Sequence, residues 1–224
     1  MLEFTEILQI DFSKYPPIQV LLLGLGFLFW AVVYIETIRG IKRNNLVEIP
    51  IIVCAMDISW EFSWAFLLDN DFGILFTIGC TIWFFLNCFI NFGVLIYGKK
   101  LVTNLWIKEN FYYPYFFIII SSGFITYFFK TSGIDNGLGL ISAYLINIVI
   151  SSTYLYQLIS FPHYINNGFK ISIGWSKFIG TGAISVFCFL HYPYGYLLQS
   201  MCIIVYILDI YYIYLFKTLN SALK

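Results

Sequence analysis

The chain has 224 residues, of which 60% are hydrophobic and 11% charged, with a formal net charge of zero and a mean hydropathy of +0.83. Soluble domains average about 45–50% apolar and about 25% charged residues, so this composition excludes a water-soluble globular enzyme and indicates a polytopic membrane protein. The neutral balance gives no footing for nucleic acid or an acidic partner.

The stretch MLEFTEILQIDFSKYPP is acidic and lacks a basic n-region, which argues against a cleaved signal peptide. A spanning helix needs about 20 mostly apolar residues. Seven runs meet that length, at about 18–38, 47–68, 73–97, 114–130, 138–159, 173–191 and 194–217. The breaks between them, RGIKRNN, LDNDFG, GKKLVTNLWIKENFYYP, KTSGIDNG, FPHYINNGFK and HYPYG, carry turn formers and charge. The expected fold is an all-α bundle of seven transmembrane helices forming one domain over residues 1–224. Arg39, Lys42 and Arg43, then Lys99, Lys100 and Lys108, then Lys170 and Lys177, and finally Lys217 and Lys224 fall on one side by alternation. Lys14 and Lys130 fall on the other. The positive-inside rule then places the C-terminus in the cytoplasm and the N-terminus outside or in a lumen.

The second run, CAMDISWEFSWAFLL, holds two carboxylates within hydrocarbon. At about 100° per residue, Asp57, Trp60, Glu61 and Trp64 share one stripe about 100° wide. An ionisable residue at mid-membrane costs about 2.5–3.5 kcal/mol on insertion scales, so such residues face a bundle interior or a wet cavity. Glu61 reads as a functional acid, or else as a carboxylic acid bonded to a neighbouring helix. Asp57 is open to the same two readings. Glu36 and Glu48 lie near helix ends and read as interfacial. The DND run at 69–71 reads as a polar turn between helices rather than a site for a metal-bound diphosphate.

The third run sets Trp83, Asn87 and Asn91 at helical spacing, and the fifth groups Tyr144, Asn147, Ser151 and Tyr154. Each fits either a site or interhelical hydrogen bonding. The last run has one acid, Asp209, on a face with Tyr206, Tyr212 and Phe216. The five cysteines, Cys54, Cys80, Cys88, Cys188 and Cys202, lie in apolar runs without a C-x-x-C pair and read as small core residues. His163 and His191 have no partners at ligand spacing, so no metal and no cofactor are expected.

Acids among aromatic faces in a dry cavity suit proton-initiated carbocation chemistry. A desolvated carboxyl can hold and deliver a proton, and ring faces attract cations more strongly where water is excluded. A proton-coupled carrier could use the same inventory, although transporters usually show internal repeats or broken midplane helices. A heptahelical photoreceptor needs a lysine within its last helix for a Schiff base, and that segment has none before Lys217.

The order of motifs adds a resemblance. WAVVYIETIRGIKRNNLVEIPIIVCAMDISWEFSWAF, with Ile38-Arg39 and Trp60-Glu61, resembles the first two helices of the integral-membrane terpene cyclases of meroterpenoid and indole-diterpene pathways, the family of the pyripyropene and paxilline cyclases. STYLYQLISF, SKFIGTGAIS and YILDIYYIYL are similar to its later elements, in the same order. The resemblance implies a metal-independent cyclase that protonates an epoxide or olefin of a prenylated substrate, with Glu61 and Asp209 as its essential acids. Asp57, Trp60, Trp64, Trp83, Asn87, Tyr206 and Tyr212 are the expected substrate-binding residues. It also implies a lipophilic isoprenoid substrate, an upstream prenyltransferase or epoxidase to supply it, and a multi-pass location in a bacterial inner membrane or the endoplasmic reticulum. Two positions depart from the family pattern: Asp57 stands where a neutral residue, often Asn, is expected, and Asn87 where many members carry an acid. Straight antiparallel helices would set Glu61 and Asp209 about 13 Å apart in depth, which tilt could narrow.

Overall fold

The computed structural model describes residues 10–135, 137–165 and 167–223. Among these residues the chain is helical, without a β-strand. Helix α1 is Pro17–Asn44, α2 is Ile51–Phe62, α3 is Ile74–Tyr97 and α4 is the short Leu105–Glu109. Helices α5, α6, α7 and α8 are Tyr112–Thr131, Leu140–Ser160, Ile171–His191 and Tyr196–Ala222. Five helices, Pro17–Asn44, Ile74–Leu101 (α3 with its terminal 3₁₀ turn), Tyr112–Thr131, Ile171–His191 and Tyr196–Ala222, are long and apolar enough to cross a membrane by length and composition. The α2 segment is shorter and carries Asp57 and Glu61, and α6 is diluted by its serines, threonine and amides.

Local chemistry accounts for the boundaries. Pro17 opens α1, where its missing N–H is no loss. Asn45, in the left-handed region at φ 52°, closes it with its N–H on the Ile41 carbonyl, after Lys42 and Arg43 have met the negative helix end. Helix α2 follows Pro50 and runs into a π-turn over Ser63–Leu67. The 69–71 run is a turn: Asn70 Oδ1 accepts from the Phe72 and Gly73 N–H groups, and Asp71 pairs with Lys14 at 2.9 Å. Asp135 closes the start of α6, accepting from the Ile141 N–H at 2.9 Å and from the Ser142 hydroxyl.

Six helices form a ring. Packing runs from α1 to α3, α2, α6, α8 and α7 and back to α1, while α5 lies outside against α2. Helices α1 and α7 approach closely through Gly26 and Gly180: a Cβ at Gly26 would lie 2.3 Å from Ile184 Cγ1. The outward faces carry exposed Leu21, Leu28, Phe85, Phe89, Ile203 and Ile207, whereas Glu61, Asn87, Ser151, Lys177 and Asp209 point inward. This inside-out distribution is the one a hydrocarbon solvent selects.

Three expectations need correction. Lys177 is not a loop charge but a buried residue within α7, so it drops out of the inside-positive set. Glu48 is buried rather than interfacial, because its carboxylate accepts the Lys170 N–H at 2.7 Å and its carbonyl accepts Gln157 Nε2. Tyr206 is 49% exposed on the outer face of α8, beside Phe178, because the helix turns Asp209 and Tyr212 inward instead.

Gly139 precedes α6 at φ 65°, and a Cβ there would sit 2.4 Å from the Trp64 ring. Gly139→Ala therefore combines a disfavoured backbone with a steric clash. We expect a loss of about 1–3 kcal/mol, read as a lower unfolding temperature in detergent.

Candidate active site

A cavity lies inside the ring. Helix α1 contributes Phe27, Trp30 and Tyr34, and α2 contributes Asp57, Trp60 and Glu61. Phe76 and Trp83 come from α3, Tyr144 and Asn147 from α6, and Thr181 and Ile184 from α7. The cavity volume is about 80 Å³.

Glu61 is 1% exposed, and both its oxygens are held. Tyr34 donates to Oε1 at 2.6 Å and Asn87 Nδ2 donates to Oε2 at 3.0 Å. The chain of donors continues outward. Asn91 Nδ2 donates to Asn87 Oδ1 at 2.9 Å, and the Tyr115 hydroxyl of α5 donates to Asn91 Oδ1. Asn87 and Asn91 are thus one turn apart because both serve a single line of amides running to the carboxyl. No lysine or arginine touches Glu61 among the described residues. Removing one support tests the line: Tyr34→Phe should lower turnover about tenfold, the scale of one hydrogen bond, with unchanged helix content by circular dichroism.

Asp57, one turn before Glu61, also lines the cavity and makes no hydrogen bond among the described residues. Aromatic faces surround the two acids. Phe27 stacks on Trp83 with centroids 4.2 Å apart, Tyr34 stands edge-on to Trp83 at 6.5 Å, and Trp60 meets Phe76 at 6.4 Å. Trp60 is fixed by its Nε1–H on Ser142 Oγ at 2.8 Å, which ties the wall to the Asp135 cap. Trp64 is fully buried behind this wall, 5.8 Å from Phe76, and does not line the cavity.

Asp209 occupies a different place. It lies outside the cavity wall, in a small recess with Tyr154, Gly174 and Tyr212. Lys177 Nζ donates to its two oxygens at 2.6 and 2.8 Å and to Ser151 Oγ at 2.8 Å, while the Ser151 hydroxyl donates to Asp209 Oδ1 at 2.8 Å. The ammonium also sits 5.9 Å from the Trp30 ring centroid. Tyr212 packs edge-on against Tyr154 at 5.4 Å in this recess rather than in the cavity. The structure thus joins Glu61, Asp57, Trp60 and Trp83 in one chamber and holds Asn87 behind Glu61. It sets Asp209 and Tyr212 beside that chamber.

Sequence reasoning does not single out Tyr34 or Tyr115, it sets Lys177 among the loop charges, and it gives Thr181 no role beyond the SKFIGTGAIS element. Tyr34 and Tyr115 are two of 18 tyrosines, and nothing local distinguishes a tyrosine aimed at a carboxyl from one aimed at lipid. Lys177 carried a signal, since it lies within an apolar run, but its nearness to the run's start made it look like a loop charge.

The family described as Pyr4-like transmembrane terpene cyclases matches residues 9–222. The chain belongs to this family. It is therefore an integral membrane protein of a terpene cyclase family. A similar relative is "Terpene cyclase spyD" of Aspergillus fumigatus, 30% identical over 83 residues, a stretch that covers 37% of this chain and 35% of the relative. The similarity thus spans about a third of that relative's length. No solved structure matches.

Proposed function

We propose that this protein is a membrane-embedded cyclase that protonates an epoxide or olefin of a prenylated, meroterpenoid-type substrate and guides the resulting carbocation to a ring. The observation that carries the reading is Glu61: a buried carboxyl, held by two neutral donors and facing a chamber of aromatic rings. Glu61 gives its proton to the epoxide oxygen or the terminal alkene carbon. In the first case the C–O bond breaks and leaves a tertiary cation; in the second the alkene π pair takes the proton. Internal alkenes then attack in turn, each forming a C–C bond and passing the positive charge along the chain. Phe27, Trp60, Phe76 and Trp83 face that charge electrostatically. The last cation loses a proton from an adjacent carbon to a carboxylate, for which Asp57, free of hydrogen bonds on the same wall, is the best-placed group among the described residues. The product is an isomer of the substrate. The lipophilic substrate enters from the bilayer as aliphatic and aromatic wall residues turn aside, which widens the narrow chamber.

Asp209 does a separate job in this reading. Its oxygens are committed to Lys177 and Ser151, so it fixes α6, α7 and α8 against one another behind the cavity and sets a dipole beside it. All seven long helices would cross the bilayer, with the N-terminus outside or lumenal and the C-terminus cytoplasmic. An upstream prenyltransferase or epoxidase would supply the substrate.

The test is to incubate membranes containing the protein with epoxidised and plain farnesyl-arenes and follow products by mass spectrometry and NMR. A cyclic product of unchanged mass supports the reading. Uptake of a polar solute into proteoliposomes without chemical change would replace it with the carrier.

A further inference from the structure

Helices α6 and α7 run antiparallel beside α8 and meet through side chains at two levels. At one level Tyr144 of α6 reaches Ser185 Oγ at 2.8 Å and the Thr181 carbonyl at 3.2 Å. Two turns away Lys177 of α7 reaches Ser151 of α6 and, through it and directly, Asp209. Tyrosine and lysine are long enough to bridge the gap between the helices. The register pairs residue 144 with 185 and 151 with 177, so the level between them brings Asn147 opposite Thr181. Both side chains are short, and the space between them opens into the cavity.

That middle level is the one left unpaired. Thr181 is 3% exposed and its Oγ1 has no hydrogen-bond partner among the described residues. Asn147 Oδ1 is likewise buried without a partner among the described residues. A threonine in a helix ordinarily satisfies its hydroxyl on the carbonyl four residues back, as Thr37, Thr81 and Thr153 do here. Two neighbouring orphans in an apolar interior are costly unless something fills them.

We propose that Asn147 and Thr181 form a hydrogen-bonding subsite for a hydroxyl group of the substrate. A hydroxyl can donate to Asn147 Oδ1 while accepting from Thr181 Oγ1 or the Asn147 amide, and thereby complete the level that the protein leaves open. The proposal rests on the cyclase reading and narrows its substrate class to prenylated alcohols or phenols. It also gives the cavity an orientation, because a hydroxyl anchored on the α6–α7 side leaves the hydrocarbon chain to lie across the rings toward Asp57 and Glu61 on α2.

The test uses the full-length protein in detergent micelles with two probes, 2-farnesylphenol and its methyl ether, whose binding is followed by tryptophan fluorescence. Wild type should bind the phenol about tenfold more tightly than the ether, and Asn147→Leu and Thr181→Val should each bring that ratio close to one. The ligand-free Thr181→Val protein should unfold at the wild-type temperature or above it, since an isosteric methyl replaces an unsatisfied hydroxyl. A wild type that fails to prefer the phenol, a preference that survives both substitutions, or a Thr181→Val protein that melts below wild type would each overturn the subsite. The same two probes are measured in the Glu61→Gln background, where turnover does not consume them, so a failure here is distinguishable from failure of the cyclisation chemistry, which product formation by the wild type reports.

Discussion

Glu61→Gln is expected to lower turnover by about 10²–10⁴-fold, the range that a positioned general acid contributes, while the protein still folds. Glutamine fills the same volume and can still accept from Tyr34, but it has no proton acidic enough to open an epoxide or add to an alkene. Its amide would also face the amide of Asn87, which now donates to Glu61 Oε2. Asn87 must then turn over and lose the bond from Asn91, at about 1 kcal/mol. Thermal unfolding should therefore fall by only a few degrees while product formation nearly vanishes. Glu61→Asp, which keeps an acid but draws it back by one methylene, should retain a measurable fraction of the rate. Product formation in Glu61→Gln at the wild-type rate would remove Glu61 from the chemistry.

Asp209→Asn should act mainly on stability. It leaves the Lys177 ammonium buried at 4% exposure without its counter-charge. Breaking a buried pair from one side costs about 3–5 kcal/mol, whereas replacing both partners with apolar groups is often neutral. The single variants Asp209→Asn and Lys177→Met should both give low folded yields and low unfolding temperatures, and Asp209→Leu combined with Lys177→Met should recover much of the lost stability. The recovered double variant separates two roles for Asp209. If the pair is an anchor beside the cavity, the refolded double variant regains cyclisation. If Asp209 itself moves a proton, the double variant folds and stays inactive. An Asp209→Asn protein as stable as wild type would show that the ion pair does not hold this corner of the bundle.

Much of the architecture was legible along the chain because the bilayer imposes a length and composition on each helix that crosses it. Helix positions followed from apolar runs and their breakers, although the bounds moved: α1 extends to Asn44, beyond the expected end at 38, because a helix continues into the interface until a residue such as Asn45 can close it. The Asp57–Glu61 stripe was legible for a similar reason, since residues three or four apart on one helix share a face whatever the partners are. The Asn87–Asn91 pair was visible by spacing, but its purpose was not. Only the packing of α3 against α2 turns that pair into a support for Glu61.

The sequence by itself determined that this is a helical membrane protein with carboxyls buried among aromatic rings, because hydropathy and helical period are local properties. Tertiary structure alone decided which acid faces the chamber and which is tied to a cation. Glu61 and Asp209 are both acids on aromatic-rich helices, alike when read in one dimension. Lys177, 32 residues from Asp209 along the chain, makes the difference. Such a pair forms where α7 and α8 bring the two side chains within 2.6 Å, a distance set by how the ring of helices closes and by no pattern within either helix.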